Sequence, residues 1–359
     1  MAATTELNPA IIEQKAGIAF QYAGGAFISA AIYLGDALGI YRAMDGVGAM
    51  SSQEVASKAG LDERFVREWL YQQVAAGILD RDGEKFVFSP EASVVFGPEQ
   101  NEANMSGMFG ELPGIMKVFT EVAPTGFRTG IGGTYDSFGA EGARMIDRFL
   151  GAWNRHALVP QALPRIEGLV ARLEAGAKVA DVGCGGGAGP VAIGKAFPKS
   201  EVHGYDNSRH AIALFNENKA KAGVSNVKIH NSDTDPLPAT PTFDFVTTLD
   251  CLHDMSRPDL AAAAIRKAIK PDGAWFIADI ECGNSFEENL QNPLAPFFYS
   301  ASIAMCLQSS ASTADGMKLG TVGLPEAKMR ELVTNAGFSR FDRVAGLENP
   351  MNAYYVARP

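Results

Sequence analysis

Apolar residues change their rhythm near position 178. From there on they gather in short runs: AKVADVG at 177–183, SEVHGYD at 200–206, NVKIHNSD at 226–233, FDFVTTLD at 243–250 and AWFIADI at 274–280. Runs this short, rich in β-branched and aromatic residues, predict strands. Helical stretches fall between the first three and again between the last two, which predicts a doubly wound α/β fold with helices on both faces of a parallel sheet. Before residue 178 the spacing is helical. Residues 26–44 carry apolar positions three and four apart and predict one helix. Ser51 or Ser52 caps a helix that ends at Gly60, and Asp62 caps another that ends at Gly77, with Phe65, Trp69 and Leu70 on one face. Two β-prone runs then flank Asp82-Gly83, a hairpin signal. Helix, helix, hairpin is the order of a winged helix. Residues 91–178 mix helical pieces with breaks at Pro113-Gly114, Pro124, Gly132-Gly133 and Pro160. The expected division is a mostly helical winged-helix domain over 1–100, a connecting segment over 101–170 and an α/β domain over 171–359.

Composition narrows the partners. The chain has 359 residues, 31 basic and 41 acidic, for a net charge of −10. Residues 1–100 hold seven basic and thirteen acidic side chains, the wrong sign for reading DNA. A packing or dimerisation role suits that domain better, and neither nucleic acid nor a membrane surface is an expected partner. The apolar stretch from Tyr22 to Gly35 is read as too short to cross a bilayer and as a helix buried at an interface. The start, MAATTELNPAIIEQK, shows no secretory pattern. Cys184, Cys251, Cys282 and Cys306 make no C-x-x-C pair, so reduced thiols and a cytoplasmic location are expected.

In a doubly wound sheet, ligands bind beyond the C-terminal ends of the strands, and chemistry-bearing residues cluster there. The first strand is followed by Asp181-Val182-Gly183-Cys184-Gly185-Gly186-Gly187. Its glycines allow close approach of a ligand, but the run also fits a dinucleotide fingerprint. Asp181 separates the two: a carboxylate sits badly beside a pyrophosphate and suits a ligand carrying an ammonium group, unless it only holds loop amides. Asp206, with Asn207 beside it, can accept two ribose hydroxyls, and Ser232-Asp233-Thr234 can take an adenine amine or simply form a turn. After the fourth strand come Asp250, a further candidate to contact the bound nucleoside ligand, and His253. A neutral imidazole there could take a proton from a hydroxyl, or be a loop histidine bonded to backbone. Asp254 reads as a turn or cap contact, and Ser256 with Asp259 as a capping box.

The ordered set of D-x-G-x-G-x-G, Asp206, Asp233, FDFVTTLDCLHDM and PDGAWFIADIE, with the terminal segments NAGFSRFDRV and MNAYYVARP, resembles class I S-adenosylmethionine-dependent methyltransferases. The stretch SSQEVASKAGLDERFVREWL resembles the winged-helix dimerisation domain of small-molecule O-methyltransferases. The resemblance implies a Rossmann-like methyltransferase sheet closed by an antiparallel hairpin, S-adenosylmethionine as cofactor, S-adenosylhomocysteine as product and a homodimer formed through the N-terminal domain. It places the methionine moiety on Asp181, Gly183, Gly185 and Gly187, the ribose on Asp206 and the adenine on Asp233. It makes His253, in His253-Asp254-Met255 where the family has H-D-W, a general base with an acidic partner at Asp279 or Glu281.

The expected reaction is an in-line methyl transfer to a small apolar or aromatic acceptor, most simply a hydroxyl. Tyr135, Trp153 and His156 from the connecting segment, with Phe298 and Tyr299 from PLAPFFYSASIAMCL, are candidates to line its pocket. No metal-ligand spacing is evident. Three other readings remain at this point: a thiol methyltransferase working by positioning, an NAD-dependent oxidoreductase, and a non-enzymatic regulator that senses S-adenosylmethionine.

Overall fold

The computed structural model describes residues 7–347 and 349–359; the first six residues of the start read as lacking a secretory pattern therefore lie outside the described residues. The chain forms two compact units. One runs through Gln100 and adds Asn104–Leu112, and the other takes Asn101–Ala103 and Pro113–Pro359. The stretch expected to connect two domains thus belongs, from Pro113 on, to the C-terminal unit.

In the N-terminal unit, α1 (Pro9–Ala37) is capped by Asn8, whose side chain accepts from the Ala10 amide. The expected single helix over 26–44 instead breaks at Gly39. Its φ of 72° is left-handed, and α2 (Ile40–Met44) starts there. Ser51, not Ser52, caps α3 (Ser52–Ala59), in a reciprocal capping box with Glu54. Asp62 caps α4 (Glu63–Ala75), which buries Val66, Trp69 and Leu70, while Phe65 points outward, 80% exposed. Strands β1 (Asp80–Asp82) and β2 (Lys85–Val87) pair antiparallel as the wing. Where α1 meets α4, the Trp69 indole donates to the Ala31 carbonyl at 2.8 Å, and a Cβ on Gly35 would overlap the Trp69 ring.

Helix α1 corrects the bilayer argument. It has 29 residues, is apolar enough to cross a membrane by length and composition, and has only 6% of its most apolar window buried. The Tyr22–Gly35 stretch is therefore the C-terminal half of a long exposed helix that runs back to the cap at Asn8.

The C-terminal unit is built on seven strands: β3 (Lys178–Val182), β4 (Glu201–Asp206), β5 (Val227–Asn231), β6 (Phe243–Leu249), β7 (Ile269–Ile280), β8 (Arg340–Arg343) and β9 (Asn352–Arg358). Their order is β5-β4-β3-β6-β7-β9-β8, parallel except that β9 runs antiparallel to both neighbours. Side chains alternate between two cores. Val179, Phe245 and Phe276 enter one, and Ala180, Val246 and Trp275 the other. Burial on both faces explains why the strands read as nearly continuous apolar runs. The Trp275 indole finds a buried acceptor in the Thr248 hydroxyl at 3.0 Å. The order reverses between β3 and β6, so the cleft opens above the ends of β3, β4 and β6.

Candidate cofactor cleft and buried histidine

A cavity of about 650 Å³ opens at these strand ends. The glycine turn forms its floor. The Gly183 and Cys184 amides donate to the Tyr205 carbonyl at 2.8 and 3.1 Å, tying the turn to the end of β4. Gly185, at φ 53°, has open space where a Cβ would stand. Gly187 serves otherwise. It lies outside the cavity wall, and at φ 82° its missing Cβ makes room for the Phe215 ring. Its expected contact with the methionine moiety is thus replaced by packing. Gly187→Ala should combine overlap and left-handed strain, costing about 2–4 kcal/mol; denaturant unfolding would show the loss as a lower midpoint.

Asp206 accepts from two backbone amides, Gly185 through Oδ2 and Ser208 through Oδ1, both at 2.9 Å. It joins the glycine turn to the start of the helix Arg209–Ala222. Burial raises its pKa, against the opposing pull of these amides. Asp181 is 1% exposed and accepts from the Thr247 hydroxyl at 2.7 Å rather than from loop amides. Burial pushes it up to about 7, against Thr247. Asp250, at φ 54°, accepts from the Asn352 side chain, and burial and Asp279 push it up to about 7 as well. Asn207, Ser232 and Asp233 line the cavity, whereas Thr234 turns its hydroxyl back to the Asn231 carbonyl.

Six aspartates line the wall: Asp147, Asp181, Asp206, Asp233, Asp250 and Asp254. Among the described residues Arg257 is the one basic side chain there, and Asp259 and Asp315 already pair it. That pairing also replaces the expected capping box, since the helix Pro258–Ala268 opens at Arg257 without a side-chain cap. The cleft therefore carries a negative field inside a low-dielectric wall.

One consequence can be measured on the ligand-free protein. Asp181 and Asp250 have folded pKa values near 7 and unfolded values near about 3.9. Between those limits the native state binds more protons, so stability should fall as pH rises from about 4 to about 7. His253, whose folded pKa is raised, adds to this loss as pH rises through its folded value. His203, lowered by burial, works in the opposite direction. A melting temperature that climbs across this window would contradict the assignment.

His253 is 2% exposed in the short helical turn Leu252–Asp254 that follows β6. Its Nδ1 meets Asp279 Oδ1 at 2.5 Å, and that oxygen also accepts from the Ile280 amide at 2.8 Å. Asp279 is thus the acidic partner of the histidine. Glu281 is not, because it lies past the strand end and pairs with Arg343. On the other side of the ring, Nε2 stands 3.3 Å from Asp254 Oδ1, while Tyr135 donates to Asp254 Oδ2. Burial opposes charge on the imidazole, but Asp279 and Asp254 outweigh it and hold the pKa well above its usual value. His253 itself does not line the cavity; Asp254 and Tyr135 do. The donor atoms of His253, Asp254 and Cys306 lie within 4.8 Å of one another, a spacing that could also hold a metal ion.

The other acceptor-pocket candidates scatter. Trp153 stacks on Tyr354 with centroids 5.1 Å apart, as part of the core. Phe298 is core too, at 2% exposed. His156 is partly buried away from the cavity wall. Tyr299 packs against Phe286 and lines a second cavity of about 380 Å³. The cleft takes its apolar lining instead from Ile146, Leu150, Leu249, Met255 and Leu260. The helix carrying Ile146 offered only ordinary amphipathic spacing as a signal. Asp254, read from sequence as a turn contact, could have been found by its place beside His253 at a strand end.

Comparison with known proteins matches both units of the chain. Residues 173–313 match a methyltransferase domain family, and residues 26–96 match the Rv2258c-like winged HTH domain family. Human N-acetylserotonin methyltransferase, solved with S-adenosylmethionine, superimposes with a TM-score of 0.68 over 100% of this chain and 99% of that one, at 16% identity. An O-methyltransferase family protein from Burkholderia thailandensis gives 0.66 over 98% of each, at 15% identity. A ubiquinone biosynthesis O-methyltransferase from Azoarcus sp. (strain BH72) is 29% identical over 35% of this chain and 52% of its own length, so the match spans about half of that relative. The chain thus holds a methyltransferase domain preceded by an Rv2258c-like winged HTH domain, and its seven-strand sheet has the fold of the methyltransferases it resembles.

Proposed function

We propose that the protein transfers the methyl group of S-adenosylmethionine to a hydroxyl of a small, largely apolar molecule. The observation that carries this reading is the charge of the cleft: six aspartates line it against one paired arginine, and among the described residues only Asp147 of the six has an arginine partner, Arg155. Such a wall attracts a ligand with a sulfonium and an ammonium group and repels a pyrophosphate, which disfavours NAD. Asp206 would take the ribose hydroxyls, Asp233 with Ser232 the adenine, and Gly183 and Gly185 the methionine moiety. Methyl transfer turns the sulfonium into a neutral thioether, so the same wall binds the product less strongly than the substrate.

The acceptor oxygen attacks the methyl carbon in line with the departing sulfur, and most of the acceleration comes from positioning. The hydroxyl proton must leave as the new bond forms. His253 would take it on Nε2, through the wall formed by Asp254 and Tyr135, while Asp279 holds the ring and stabilises the resulting imidazolium. O-methyltransferase names among the relatives support an oxygen acceptor.

The test uses S-adenosylmethionine with a deuterated methyl group and a panel of phenols, carboxylic acids and thiols, read by mass spectrometry. Label on a phenol supports the reading. Label confined to thiols would remove the hydroxyl and the base together, and no label on any acceptor would count against the activity.

We also propose a cytoplasmic homodimer that covers α1, whose Phe20 and Phe27 are 82% and 80% exposed in the single chain. Light scattering without detergent should give twice the chain mass, and a monomer at micromolar concentration would refute it.

A further inference from the structure

We infer that His253, Asp254 and Cys306 form a binding site for one zinc-like divalent cation. The site goes beyond the proposed methyl transfer and touches it at one atom, because Nε2 of His253 is both the proposed proton acceptor and a metal donor.

The first observation is the donor set. An imidazole nitrogen, a carboxylate oxygen and a thiol sulfur lie within 4.8 Å of one another, on residues 2%, 7% and 7% exposed. Nitrogen, oxygen and sulfur donors together are the ligand chemistry of zinc. The second observation is independent of it. Asp254 Oδ1 is buried without an aligned hydrogen-bond partner, although it stands 3.3 Å from His253 Nε2 and the Cys306 thiol interacts with the same carboxylate. The two atoms are close but not aligned for a shared proton. Two ligands bound about 2.1 Å from a tetrahedral ion sit about 3.4 Å apart, so the spacing is that of two atoms aimed at a common third point.

The surroundings complete the pattern. Asp279 holds the remote ring nitrogen at 2.5 Å, the carboxylate–histidine arrangement that orients a metal-bound imidazole. Tyr135 holds the other oxygen of Asp254, which leaves Oδ1 for the ion. Asp254 also lines the cleft, which gives the ion a way in. Binding forms one N–metal, one O–metal and one S–metal bond, and releases the thiol proton of Cys306 and the proton of the imidazolium. The metal therefore competes with the acceptor's proton for Nε2, and the predicted consequence is inhibition of base-assisted transfer by zinc.

The test needs no acceptor, so its failure leaves the methyl-transfer reading standing, and failure of that reading leaves this one intact. Full-length metal-free protein is titrated with zinc chloride by calorimetry, and the loaded chain is examined by zinc X-ray absorption. The expected result is one equivalent bound, with a single sulfur at about 2.3 Å and the remaining ligands nitrogen or oxygen. Cys306→Ser should lose that sulfur and Cys251→Ser should keep it, so either variant identifies the thiol. Asp279→Asn should weaken binding about 10–100-fold. No stoichiometric binding, a shell with no sulfur or more than one, or a sulfur that survives Cys306→Ser would overturn the site.

Discussion

Replacing His253 by alanine should lower turnover with a hydroxyl acceptor by about 10²–10⁴-fold, while binding of S-adenosylhomocysteine stays near that of the parent protein. The separation follows from position. His253 lies behind Asp254 and Tyr135 and does not line the cleft, so its loss leaves the cofactor's contacts in place. The same substitution strands Asp279, a carboxylate 1% exposed, and removing one partner of a buried pair costs about 3–5 kcal/mol of stability. Binding of the product should therefore be measured on the same sample, to show that the variant is folded. The pH profile supplies a second reading. Asp279 and Asp254 favour the imidazolium, so the base becomes competent only as pH rises above the usual histidine range. Activity of the parent should show an acid limb above about pH 6.5, and the variant should lose it. Turnover unchanged in His253→Ala would end the general-base role.

Asp206→Ala should weaken S-adenosylmethionine about 100-fold. The carboxylate is bonded to the Gly185 and Ser208 amides at 2.9 Å, and its remaining acceptor capacity faces the cleft. Hydrogen bonds to charged groups contribute about 1.5–3 kcal/mol each, and about 2.7 kcal/mol is a factor of 100 in affinity. The effect has two sources, the lost ribose contacts and a glycine turn no longer tied to the next helix. Asp206→Asn separates them, because its amide oxygen can still accept one backbone bond. An Asn variant that recovers part of the affinity fits this account; an Ala variant that binds like the parent does not.

The catalytic sheet was legible because each strand is short, apolar on both faces and punctuated by glycine or aspartate at its end. Those features follow from burial between two layers of helices, which is local in sequence. Asp181, Asp206 and Asp250 could be placed at the cleft for the same reason: each ends or follows a strand. The acceptor side was not legible. Tyr135 reaches the cleft across 119 positions of sequence to meet Asp254, and nothing in its neighbours tells it from Trp153, which stacks into the core. Aromatic composition alone cannot separate a pocket wall from a core layer. The choice between Asp279 and Glu281 was likewise set by strand register. Asp279 lies within β7 and faces His253, while Glu281 lies past its end and meets Arg343 on the neighbouring hairpin. Helix α1 is longer than its apolar stretch because its N-terminal half carries polar side chains such as Glu13, Gln14 and Lys15.

The central claim is that the acidic cleft is built for a cationic nucleoside cofactor. Parallel calorimetric titration of the purified protein with S-adenosylmethionine, S-adenosylhomocysteine and NAD tests it most directly. Micromolar binding of the first two, tighter for the sulfonium and strengthening as pH rises through about 7, with no heat from NAD, is the predicted result. Binding of NAD with none of S-adenosylmethionine would contradict the reading of Asp181 and the function built on it.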